Sequence, residues 1–221
     1  QYIGLPVAET TKNPTFEGMW VRAYDEKLNA PDHYYRKWTA MKNTDKMKAF
    51  MGYEVAPVKD GSNGVHKIQG KLNLCEQTIE LTRQASVVTK STAADDNAKR
   101  YGLGYNIVGN SFMAGVDIKN VKLESGETGV DMDNTVYIFT GSWDEWRNQN
   151  GQSVKVKGGY EAVNIDKAGE GGITRTLAPM QGFMVKYSNP VYSDKTGTLT
   201  IPYKGLKSEA EPLRAKSFVM D

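Results

Sequence analysis

YGLGYNIVGNSFMAGVDI, Tyr101 to Ile118, places four glycines and two asparagines among strong strand formers. Ile107 and Val108 lead into Gly109-Asn110-Ser111, and Phe112, Met113, Val116 and Ile118 then resume an apolar pattern. That is a strand end, a fixed turn and a restart. Gly and Asn adopt positive φ at low cost, so a tight reversal at Gly109 is expected. On that basis Gly109→Val should destabilise by ~1–3 kcal/mol.

The same grammar extends in both directions. Short alternating runs bounded by Gly, Pro, Asn and Asp recur along the chain, and helical periodicity is scarce. Strands are expected at 2–7, 20–24, 34–39, 50–56, 66–74, 78–82, 105–108, 135–140, 145–147, 182–187 and 197–202, with short helices only within 39–48 and 111–121. The fold class is all-β. The 221 residues suffice for a sizeable core, and 28 basic against 26 acidic residues, mixed along the chain, leave no basic stripe for nucleic acid. No run approaches the roughly 20 apolar residues of a membrane span. Cys75, the single cysteine, excludes an intrachain disulfide, and its position in a strand-like run suggests a small buried hydrophobe.

Four segments recur in one order. Ile3-Gly4-Leu5-Pro6 matches Val108-Gly109-Asn110-Ser111, and Tyr34-Tyr35-Arg36-Lys37-Trp38 matches Ser142-Trp143-Asp144-Glu145-Trp146. Met51-Gly52-Tyr53-Glu54-Val55 then matches Gln181-Gly182-Phe183-Met184-Val185, and Gly70-Lys71-Leu72-Asn73-Leu74 matches Gly197-Thr198-Leu199-Thr200-Ile201. The interval between the second and third anchors is longer in the second copy, and residues 147–172, rich in Gly, Lys and Asn, supply the excess as a loop. The expected architecture is an antiparallel, jelly-roll-like β-sandwich over residues 1–206. Its two diverged, similar halves are about 1–83 and 101–205, with 84–100 as connector. Residues 207–221 read as an exit segment toward a missing C-terminal domain, and the start at Gln1, without a leader, suggests a piece of something longer.

Gly104-Tyr105-Asn106-Ile107-Val108-Gly109-Asn110-Ser111-Phe112, followed by Val116-Asp117-Ile118, resembles the G-[WY]-N-[LI]-[VI]-G-N-P-[FY] segment of large secreted and cell-surface proteins of Bacteroidetes. VYIFTGSWDEW at 136–146 and the APxQGFxVK pattern at 178–186 are similar to lines that follow it in that family. The resemblance implies a secreted or cell-surface β module near the C-terminal end of a multidomain protein, whose partners are neighbouring domains of the same polypeptide. Ser111 departs from the family's proline, which implies a less rigid turn.

The residues for chemistry are few. His33 and His66 lack the setting of a catalytic triad, and neither GxSxG nor HExxH occurs, so no catalytic residue is assigned. Asp131, Asp133 and Asn134 form the one cation candidate, for calcium; its structural alternative is a polar turn before a strand. No other cofactor is implied. For a ligand, exposed rings with polar neighbours suit sugars: Trp143 and Trp146 with Asp144 and Asn148, and Tyr35 with Trp38 in the first half. Matched aromatics are more often core anchors. The first reading is a non-catalytic extracellular spacer, docking or adhesion module, with a glycan or another surface protein as candidate partner. The alternative is a carbohydrate-binding module attached to an exported glycan-degrading enzyme.

Overall fold

The computed structural model describes residues 2–5, 9–10, 15–28, 37–58, 65–83, 104–126, 132–149, 152–187 and 195–207, and backbone only for some of these. They form an all-β, sandwich-like fold of antiparallel sheets. In chain order the strands are β1 (Tyr2–Gly4), β2 (Glu9–Thr10), β3 (Thr15–Glu17), β4 (Met19–Tyr24), β5 (Trp38–Ala40), β6 (Gly52–Pro57), β7 (Val65–Lys67), β8 (Gly70–Lys71) and β9 (Gln77–Arg83). There follow β10 (Tyr105–Gly109), β11 (Val116–Asp117), β12 (Lys122–Ser125), β13 (Thr135–Gln149), β14 (Gln152–Asn164), β15 (Thr176–Leu177), β16 (Gly182–Lys186) and β17 (Lys195–Ile201).

Two four-stranded sheets have orders β1-β6-β4-β5 and β10-β16-β13-β14; smaller sheets are β12-β17-β9, β2-β8, β3-β7 and β11-β15. The two large sheets share register as well as order. Gly4 pairs with Gly52 as Gly109 pairs with Gly182, and Ala23 with Tyr53 as Ile138 with Phe183. They meet through reciprocal contacts. Gly4 N donates to Met180 O at 2.7 Å and Gly109 N to Phe50 O at 3.2 Å, while isolated bridges join Ile3 to Gln181 and Met51 to Val108. Phe50 (φ 60°) and Met180 (φ 61°) are the described non-glycine residues with positive φ, and both immediately precede these bridges.

That crossing corrects the reading of Gly109, which is not among the described glycines with positive φ. Its role is close approach: a Cβ on Gly4 would stand 2.9 Å from Gly109 Cα, and one on Gly109 would meet Gly4 N at 3.0 Å. The two residues after it form a staple. Fully buried Asn110 donates through Nδ2 to the carbonyls of Ala114 (2.9 Å), Leu177 (3.2 Å) and Ala178 (3.0 Å), and its Oδ1 accepts from Phe112 N. Ser111 Oγ accepts from Phe50 N at 2.7 Å, a bond that proline could not replace.

One apolar cluster gathers Phe112, Val116, Ile118, Val136, Ile138, Phe183, Val185, Leu199 and Ile201 with Phe50 and Leu81 from the N-terminal half. The other contains Leu5, Phe16, Val21, Met47, Tyr53 and Val55. β9 follows β8 in sequence but pairs along all seven residues with β17, so the N-terminal half supplies the edge strand of a sheet otherwise built from the C-terminal half.

Other expectations are also corrected. Neither expected helix forms: 39–40 belong to β5, 41–48 are irregular, and 111–121 contain β11 and a single 3-10 turn at Ile118–Asn120. Residues 147–172 are not chiefly loop, because most of them complete the β13–β14 hairpin before a second 3-10 turn at Ile165–Lys167. Cys75 is exposed. Gly70 and Gly197 occupy matching positions opposite Thr10 and Ser125, yet Leu72 is 56% exposed whereas Leu199 is 0% exposed in the larger cluster. The second anchor pair is displaced. The ladders put Trp38 opposite Tyr24 and Tyr160 opposite Phe139, so the position matching Trp38 is Tyr160, not Trp146.

Candidate functional site

In β4 the side chains of Met19, Val21 and Ala23 face the smaller apolar cluster. Alternation therefore sends Trp20, Arg22 and Tyr24 to the opposite face of the sheet. Across the ladders Glu54 stands opposite Arg22 and Trp38 opposite Tyr24, so all five share that face. Arg22 forms an ion pair with Glu54, and its guanidinium lies 5.8 Å from the centre of the Trp38 ring. Trp38 meets Tyr24 edge-on, with centroids 5.0 Å apart and planes at 68°. Trp20 lies beyond Arg22 and is 64% exposed. The result is a strip of two indoles with a charged pair between them, closed at one end by buried Tyr24.

The Tyr24 phenol is pushed well above its ordinary pKa, first by burial, then by Glu26 and by Tyr105 and Tyr160 of the second large sheet. The two sheets approach near this end of the strip, where Gly104 N, just before β10, donates to the Glu26 carboxylate, two residues beyond Tyr24. Phe139 and Tyr160 repeat the edge-on pair there, at 5.5 Å and 67°.

Below Tyr24 a buried charge knot holds the chain in place. Lys37 donates to the carbonyl oxygens of Glu26 and, at 3.0 Å, Leu28, and its Nζ is 3.8 Å from the Glu26 carboxylate. That carboxylate accepts from Gly104 N at 3.0 Å and Thr82 Oγ1 at 2.9 Å, joining β4 to β9 and to the start of β10. Burial lowers the Lys37 pKa, against the pull of Glu26 and Asp25. Such a pair adds little net stability when complete, but losing one partner strands a buried charge. Beside the knot lies an open groove of about 470 Å³, whose lining includes Phe50, Met51, Ile79, Leu81, Asn106 and Val108. Asn106 spans its two walls, accepting from Thr82 N and donating to Thr82 O, both at 3.0 Å.

The expected site residues are dispersed. Trp38 belongs to the strip, while Tyr35 lies outside the described residues. The backbones of Trp143, Asp144, Trp146 and Asn148 lie in β13: Asp144 opposite Lys157, Trp146 opposite Lys155, Asn148 opposite Ser153, and Trp143 in the irregularity between Thr140 and Asp144. Asp131 and His33 lie outside the described residues. Asp133 accepts from the Tyr137 hydroxyl and pairs with Lys186 at 3.5 Å, and Asn134 donates to Asp166 at 2.8 Å. These contacts tie the turn before β13 to its own sheet. Among the described residues no three His, Cys, Asp or Glu side chains converge as a metal site, and no helix is long and apolar enough to cross a membrane.

Trp20, Arg22 and Glu54 had no place among the expected site residues. Alternation in MWVRAY offers two faces, and hydropathy favours burying Met19, Val21 and Ala23, as their packing shows; the available signal for a solvent-facing aromatic strip was Arg22 set between Trp20 and Tyr24.

The chain is 29% identical over 197 residues to the minor fimbrium subunit Mfa5 of Porphyromonas gingivalis, covering 86% of this chain. It spans only 14% of that protein's length. No family model matches the chain, and no solved structure matches it significantly.

Proposed function

We propose that the chain is a non-catalytic β module of a much larger bacterial surface protein, acting as a spacer, docking or adhesion element. The observation that carries this reading is the similarity to one stretch of a fimbrium subunit, over 86% of this chain but 14% of that protein. Its partners are neighbouring domains of the same polypeptide and other surface or fimbrial proteins. The geometry favours a mechanical role: buried polar side chains such as Asn110, Ser111 and Glu26 are spent on binding backbone and joining the two sheets. A duplicated, jelly-roll-like origin for the halves is supported by their common strand order and glycine register.

An antibody raised against the chain tests the reading on cells that produce it. It should label intact cells and detect a polypeptide several times longer than 221 residues. Label only after permeabilisation, or a band of the chain's own size in unprocessed cells, would overturn it.

A further inference from the structure

We propose that the Trp20–Arg22–Trp38–Glu54 strip is a binding site for an oligosaccharide. Along β4, Trp20 and Tyr24 are four residues apart, which is ~13 Å of strand, and Trp38 stands beside Tyr24 one strand over. Tyr24 itself is buried, so the rings a ligand can reach are exposed Trp20 and half-buried Trp38, about 13 Å apart along the strand; that spacing suits a short linear run of sugars, whose C–H faces lie on indoles and whose hydroxyls need donors and acceptors at the side. Arg22 and Glu54 supply both in the middle of the strip, with side chains 39% and 23% exposed.

Three observations favour this occupant over others. First, the strip is small: three strands wide and four residues long, it covers ~130 Å², against about 800 Å² per partner in a standard protein–protein interface. Second, its charge is balanced, because Arg22 is already paired with Glu54, so neither a polyanion nor an anionic lipid surface is matched. Third, the strip is present in one sheet only. Positions that hold the fold have equivalents in both sheets: Gly4 and Gly109, Gly52 and Gly182, Tyr53 and Phe183, Tyr24 and Phe139. By the same register Trp20 matches Thr135 and Arg22 matches Tyr137, so the architecture does not require the exposed indole or the cation.

The intact chain is applied to an array of neutral hexose, N-acetylhexosamine and sialylated oligosaccharides, and the best-bound sugar is titrated by tryptophan fluorescence. Wild type should saturate. Trp20→Ala should weaken binding about tenfold or more at an unchanged melting temperature, since an exposed stacking ring serves the complex rather than the fold. Trp20→Tyr should restore part of the affinity, and Arg22→Gln should weaken binding while leaving the fold intact. Trp143→Ala, in the other large sheet, should bind as wild type. Silence on the array, undiminished binding by both Trp20→Ala and Arg22→Gln, or a loss confined to Trp143→Ala would overturn the site. None of those results bears on whether the protein is displayed at the cell surface.

Discussion

Gly109 shows why a glycine can be required without an unusual backbone angle. Two strands cross at Gly4 and Gly109 with no room for a methyl group, and the obstacle is backbone, which cannot rotate away. Gly109→Ala should therefore destabilise by ~1–3 kcal/mol or more through overpacking, read as a lower urea midpoint at constant slope. Gly171 is the useful contrast. Its φ is +56° but its Cβ would meet nothing, so Gly171→Ala should cost only the left-handed penalty of ~1–2 kcal/mol. Two residues on, Ser111 provides the acceptor for a buried amide from the other sheet. Ser111→Ala leaves Phe50 N unsatisfied and should cost ~1–3 kcal/mol; Ser111→Pro forfeits the same acceptor and should not stabilise the protein in denaturant titrations.

At the scale of the element, β13 and β14 illustrate how one hairpin can contain two regimes. Tyr137 and Ile138 pair with β16 as well as β14, and Val136, Ile138 and Val163 are buried in the larger cluster. Beyond the irregularity after Thr140, the ladder from Asp144–Lys157 to Gln149–Gln152 is two-stranded among the described residues. Two-stranded ribbons are marginal in water and open with low free energy. Hydrogen exchange should therefore protect amides of 136–138 and 163 far longer than those of 145–148 and 153–156. Equal protection would mean that the distal ribbon has a partner. β9 behaves in the opposite way, since Leu81 anchors it in the core of a sheet distant in sequence.

For the whole molecule, the two apolar clusters are not independent. Phe50, carried by the loop into β6, packs edge-on against Phe112 at 5.2 Å and 71°, inside the cluster of the C-terminal half. With β9 crossing in the same direction, unfolding should be one calorimetric transition, and Phe50→Ala should lower it by ~3–5 kcal/mol without splitting it. Two resolved transitions would sink this coupling. Lys207 is tied to the same body: its backbone bridges to Gly115 (3.0 and 2.9 Å) and its ammonium lies 3.1 Å from the Asp117 carboxylate, which also holds Arg175 at 3.1 Å. Burial opposes ionisation of Asp117, but Lys207 and Arg175 outweigh it and hold the carboxyl below its usual range. A carboxyl depressed in the folded state stabilises above its unfolded pKa of about 3.9 and loses that contribution as pH falls through the folded value. Asp117→Asn should thus lower stability at pH 7 and flatten its decline below about pH 4, as measured by urea unfolding across pH.

The amino-acid sequence determined the class and most strand positions, because alternation, β-branched and aromatic enrichment and Gly, Asn and Pro boundaries are properties of neighbouring residues. It also marked Gly4, Gly52, Gly109 and Gly182 as special, and Trp38 as part of a candidate site. Which residue each one faces was decided only by tertiary structure. Trp38 found Tyr24, and its counterpart proved to be Tyr160, because register depends on strands distant in sequence. β14 was hidden in a Gly- and Lys-rich run that becomes strand only by pairing with β13. Cys75 and Leu72 lie in an apolar pattern that would be buried if core packed against it, as the larger cluster packs against Leu199; among the described residues none does, and both remain exposed. Trp20 is exposed for a related reason. A strand has two faces, and the core of the first sheet formed on Val21.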